Sequence, residues 1–158
     1  MTSEPAVTFR ELFAYNDYLA TRWLNYFQQH PDALDVDVGG KTGTIRELVR
    51  HIIQAEQLFA DRLLQQAPAP KLESPTLEQL KQLHQESSER LVSYATSASD
   101  EDLRRTQVFG PVTASRRKIL TQAALHGVHH WAQVAMEVRQ AGFPPEKPQD
   151  IIISDVME

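Results

Sequence analysis

The 158 residues suit one domain, 1–158, long enough to bury about two thirds of the unfolded surface and to fold without a covalent or metal staple. The absence of cysteine excludes disulfides, thiolate metal sites and cysteine nucleophiles, so imidazole and carboxylate remain as metal ligands and any thiol chemistry must import its thiol. Sixteen Lys plus Arg against 21 Asp plus Glu leave a net charge of -5, which repels polyanions, so a small molecule rather than nucleic acid is the expected partner.

Four segments with helical periodicity, separated by Pro, Gly and acidic stretches, predict an all-α four-helix bundle. The first runs from about Thr8 to Gln29, with Phe9, Leu12, Phe13, Leu19, Ala20, Trp23, Leu24 and Phe27 in its apolar stripe, and His30-Pro31 ends it. The second starts at Thr44, where Thr44 and Glu47 have the spacing of a capping box, and continues to about Gln66 before the APAPK stretch. Ser74-Pro75 offers a cap and a first-turn proline for a third, more polar helix ending near Ser97. Between Asp102 and Ser115, the run Val108-Phe109-Gly110-Pro111-Val112 suits either a short hairpin or an irregular loop. The fourth helix runs from about Ser115 to Ala141 and is closed by Gly142, and the apolar Ile151-Ile152-Ile153 is expected to fold back on the bundle.

His126 and His130 lie four apart on the fourth helix, so both rings project from one face and can share a cation. The spacing alone is weak evidence, since six histidines scattered at random would give such a pair about one time in five. Two edge histidines bonded to water or backbone would look the same. With His126 as the angular origin, His130 falls at about 40° and His129 at about 300°, while the arc of Ile119, Leu120, Ala123, Gly127, Trp131, Val134 and Val138 spans about 20° to 140°. His130 therefore faces the bundle and His129 faces water. His51, about 60° to 100° from the centre of the second helix's stripe, is a third candidate. One ligand from that helix and two from the fourth would make a three-nitrogen site with open positions, as catalytic metals have.

Two polar residues occupy apolar positions. Asn16 lies at the centre of the first helix's stripe, and Glu56, about 140° from His51, lies between Val49 and Leu63. Burial obliges both to find partners, which a hydrogen bond tying the first two helices would supply. Alternatively, Glu56 accepts a hydrogen bond from a ligand histidine or transfers protons with a raised pKa, a catalytic role. No nucleophile elbow, phosphate-binding loop, dinucleotide fingerprint or H-E-x-x-H motif is present.

The segments Leu48-Val49-Arg50-His51-Ile52-Ile53-Gln54-Ala55-Glu56 and His126-Gly127-Val128-His129-His130-Trp131-Ala132-Gln133 resemble the paired signatures of the DinB-like (DinB/YfiT) superfamily. The likeness extends over nearly the whole chain and departs at Trp131-Ala132, where the family often has Arg-Gly. The resemblance implies an up-down-down-up bundle holding a divalent metal through His51, His126 and His130, with Gln133 following the last ligand by three. It also implies a metal-dependent enzyme that transfers a low-molecular-weight thiol to a small electrophile. The alternative it leaves open is a non-catalytic, dimeric metal-binding module of the stress response. Nitrogen ligands suit zinc, nickel, copper and iron, with zinc and nickel the first expectations.

No apolar run reaches the roughly 20 residues that span a bilayer, and MTSEPAVTF lacks the basic and apolar regions of a signal peptide, so no membrane association and a cytoplasmic location are expected. The length of the first and fourth helices, apolar beyond one stripe, leads to the expectation of a homodimer.

Overall fold

Helix α1 (Phe9–Gln29) begins with a reciprocal cap in the computed structural model, which describes residues 7–144 and 154–156. The Thr8 hydroxyl accepts from the Glu11 amide at 3.2 Å, and the Glu11 carboxylate accepts from the Thr8 amide at 2.6 Å. His30, at φ -128° before Pro31, ends the helix as expected. A 3₁₀ turn (Pro31–Asp35) and a small hairpin of β1 (Asp37–Gly39) and β2 (Gly43–Thr44) fill the following connection. Neither is visible as periodicity in so short a stretch.

Helix α2 (Ile45–Leu63) has its predicted Thr44 cap, but only half of the box forms. The Glu47 carboxylate turns to Arg50, 2.9 Å away, instead of to the Thr44 amide. The helix stops short of Gln66 because Gln65 takes a left-handed φ of 57°. The chain then runs back along α2, where Gln54 accepts from the Leu72 amide and donates to the Pro70 carbonyl, each at 3.1 Å.

The cap of α3 (Leu77–Ser97) is Thr76 rather than Ser74. Gln79 stands three residues after Thr76 and completes a reciprocal box, whereas Leu77, three after Ser74, has nothing to donate or accept. Of the two forms open to the following segment, the hairpin is realised. A short α4 (Asp100–Arg104) leads into β3 (Thr106–Phe109) and β4 (Val112–Ser115), joined across Gly110 at φ 58°. Ser115 caps α5 (Arg116–Gln140), and Gly142, at φ 81°, closes it. The apolar tail Ile151-Ile152-Ile153 lies outside the described residues.

Each of α1 and α2 packs on α3 and α5, so α1 and α2 stand on a diagonal. Contacts give the directions. Asn16 meets Ala124 and Tyr26 meets Pro144, so α1 and α5 run parallel. Glu56 meets His84 and Asp61 meets Arg90, so α2 and α3 are parallel as well. Asp17 meets His84 while Gln28 meets Lys81, which makes α1 and α3 antiparallel. The bundle is therefore up-down-down-up. No helix among the described residues is long and apolar enough to cross a membrane.

Two apolar clusters fill the interior. One surrounds Trp23, Phe27, Ile45, Ile52, Leu80, Trp131 and Val134, and the other surrounds Phe13, Phe59, Leu63, Leu91 and Leu120. Along every long helix, the residues between the two clusters are small or polar: Asn16 on α1, Glu56 on α2, His84 and Ser87 on α3, and Gly127 on α5. This polar waist corrects one expectation. Asn16 and Glu56 do not tie the first two helices together, because those helices are diagonal and their side chains reach neighbours instead. Asn16 Nδ2 donates to the Ala124 carbonyl of α5 at 2.8 Å, and Glu56 Oε2 pairs with His84 Nδ1 of α3 at 2.8 Å.

Candidate metal centre

Three imidazoles converge where antiparallel α2 and α5 face each other at the waist. His51 comes from α2, and His126 and His130 come from successive turns of α5. One nitrogen from each ring lies within 4.8 Å of the others. Ring centroids are 5.1 Å apart for His51 and His126, 4.9 Å for His51 and His130, and 4.4 Å for His126 and His130. His126 and His130 are half-buried and His51 is exposed, so the cluster sits at the edge of the core with a side open to solvent.

The donor set suits a borderline divalent cation, since three imidazoles with no thiolate or carboxylate are what zinc, nickel, copper or iron accept. Two observations support the fit. First, His126 Nδ1 is buried without a hydrogen-bond partner, an arrangement that costs free energy unless the ring has another use. Second, two of the rings, His126 and His51, have surroundings that disfavour the protonated form. Burial, followed by the repulsion of His130, His51 and His129, lowers the His126 pKa from 6.5 to about 4. Burial, with His130 and Arg50 adding to it, also lowers that of His51.

The surroundings fix ring orientation. His130 Nδ1 lies 3.0 Å from Gln133 Oε1, and because a carboxamide oxygen only accepts, Nδ1 carries a proton and Nε2 is the nitrogen left to ligate. Phe59 packs edge-on to His126 at 5.9 Å and stacks on Phe109 at 5.1 Å, so the β3–β4 hairpin contributes an aromatic screen to one side of the cluster. On another side, a cleft of about 260 Å³ lined by Arg50, His51, Gln54, Asp61 and Lys71 opens between α2 and the returning chain.

All three histidines singled out in the sequence meet here, and His129 does not join them. It is exposed and outside the cluster, with its ring centroid 5.0 Å from that of His130. Glu56 is elsewhere as well: its partner is His84, whose Nε2 in turn lies 2.9 Å from Asp17 Oδ1. Sequence reasoning missed His84 and the Phe59–Phe109 pair. A signal for His84 existed, since Leu80, Leu83, His84, Ser87 and Leu91 share one helical stripe in which a charged partner for Glu56 could be sought.

An up-down-down-up helical bundle, with three histidines that could hold a metal ion between its second and last long helices, is the class of protein that the fold and site define. The model of the DinB family matches residues 3–150, and the chain belongs to that family. A crystal structure of a DinB-like protein, YjoA, from Bacillus subtilis has a similar fold, with a TM-score of 0.62 at 21% identity over 90% of this chain and 94% of that one. No curated protein matches the chain.

Proposed function

We propose that this protein is a metal-dependent enzyme that transfers a small cellular thiol to a small electrophile. The observation that carries the reading is the convergence of three imidazoles at a solvent-open edge, in a chain without cysteine. His51, His126 and His130 would hold the ion, with zinc and nickel the leading candidates. When bound, it supplies Lewis acidity to a thiol or an electrophile at its open positions, which favours thiolate at neutral pH.

The chain's own groups divide the remaining work. Gln133 keeps His130 in the ligating tautomer. Phe59 and Phe109 exclude water from the His126 side, and the exposed edge of His51 admits the reactants. The thiol proton leaves to solvent, because Glu56 is committed to His84. Sulfur then bonds to the electrophilic carbon, and the displaced group departs with the electron pair of the broken bond. The test is conjugation of a fluorogenic bimane to a panel of small thiols by protein loaded with zinc or nickel. Faster conjugation of at least one thiol, lost on chelation, is expected. Metal retention without turnover across the panel would favour the non-catalytic module instead.

We also propose that the protein is a homodimer. The outer face of α5 exposes Leu125 (55%) and Met136 (47%) beside Ala132, apolar surface that a second copy would cover. Sedimentation at micromolar concentration is expected to give twice the chain mass, and a monomer there would remove the proposal.

A further inference from the structure

We propose that Asn16 is a positioning residue for the three-histidine site: from α1 it sets the axial register and rotation of α5, and so places His126 and His130 against His51. The inference rests on the reading of these histidines as a cation site. Two of the ligands ride on α5 and the third on α2, so their spacing depends on how α5 lies in the bundle. Most of what holds α5 is apolar, through Ile119, Leu120, Ala123, Ala124, Trp131 and Val134. The hydrophobic effect is non-directional, so it favours burying this face of α5 without itself specifying the register to a fraction of a turn. A hydrogen bond, by contrast, depends steeply on distance and angle.

Asn16 supplies that directional contact at the stretch carrying His126. Its Nδ2 donates to the Ala124 carbonyl at 2.8 Å. Its amide lies so close to Gly127 that a Cβ there would stand 2.0 Å from Oδ1 and 2.8 Å from Cγ. The amide therefore grips the α5 backbone on both sides of His126, and the glycine is what admits it. The same amide leaves Oδ1 buried without a partner. An apolar side chain would avoid that desolvation cost, so what Asn16 contributes is register rather than net stability.

The test compares wild type, Asn16→Ala, Gly127→Ala and the double variant, all without a histidine tag and stripped of metal. Zinc affinity is measured by chelator competition, and the melting temperature is measured without metal. The three atoms nearest to a Cβ at Gly127 all belong to Asn16, so the double variant removes the closest clash and gains a better helix former. It is expected to melt close to the wild type yet bind zinc about tenfold more weakly or worse, as when groups that orient a ligand are lost. Wild-type affinity in the double variant would overturn the inference, as would affinities that simply follow melting temperature across the series. If the wild type itself takes up no zinc, the cation site fails first and the inference with it.

Discussion

Replacing any one of His51, His126 or His130 by alanine is expected to abolish stoichiometric metal binding while leaving the helical circular dichroism intact. The three nitrogens are all that the described residues offer at this place, since no other histidine, aspartate or glutamate completes a cluster. Loss of one leaves two ligands, too few to hold a divalent ion against water and buffer. The fold should survive because His51 is exposed and the other two sit at the edge of the core rather than within either apolar cluster. Metal should raise the melting temperature of the wild type only. At a free concentration one hundred times the dissociation constant, mass action stabilises the native state by about 2.7 kcal/mol, or roughly 5 to 10 °C for a chain of this size. His129→Ala is the control, expected to keep its metal and to change stability by less than about 0.5 kcal/mol, because that ring is exposed and outside the cluster. Elemental analysis and melting with and without chelator decide the matter. Identical melting of the wild type in both conditions would count against the site, and loss of metal in His129→Ala but not His130→Ala would refute the ligand set.

The second large effect is expected at His84, outside the three-histidine cluster. Its ring lies buried between two carboxylates, Glu56 Oε2 at 2.8 Å and Asp17 Oδ1 at 2.9 Å. Burial pushes its pKa down, but the Glu56 carboxylate and the hydrogen bonds to Asp17 and Glu56 outweigh this and raise it from 6.5 to about 10. The ring is thus an imidazolium at neutral pH, compensating a buried Glu56. His84→Leu strands that carboxylate and is expected to cost about 3 to 5 kcal/mol in denaturant unfolding. A double replacement of Glu56 and His84 by leucine should cost far less, since an apolar pair has no charge left to compensate. The pH dependence follows from the direction of the shift. A folded pKa above the unfolded one contributes stability that is fully present below about pH 6.5 and is lost as the pH rises through about 10. The difference in stability between wild type and His84→Leu should therefore shrink across that window. A difference that stays constant with pH would show that His84 acts by packing alone.

These two sites were unequally visible in the sequence. The spacing of His126 and His130 is local, because residues four apart on a helix must share a face. The exclusion of His129 is equally local, following from its angle to the apolar arc, and the structure leaves it exposed. The resemblance to the DinB-like superfamily supplied His51 as the third partner. The Glu56–His84–Asp17 chain was not visible, although each residue's position on its own helix was. Asn16 and Glu56 were recognisable as buried polar residues, yet their partners were misassigned to each other's helices.

The amino-acid sequence by itself determined where the four long helices run, which faces they bury and that Thr44 caps the second, because these follow from a 3.6-residue period and from hydrogen bonds spanning three residues. It also determined that the last helix turns His130 towards the bundle and His129 towards water. Only the tertiary structure decided which helices are neighbours and which are diagonal, and with that the partners of Asn16, Glu56 and His84. It likewise decided that the segment after α4 pairs as a hairpin and brings Phe109 onto Phe59 beside His126. Those contacts join residues 28 to 108 positions apart, and helical periodicity carries no information about distance across a bundle. The register between helices is set instead by the packed interior and by a few directional contacts such as the Asn16 amide against the backbone of α5.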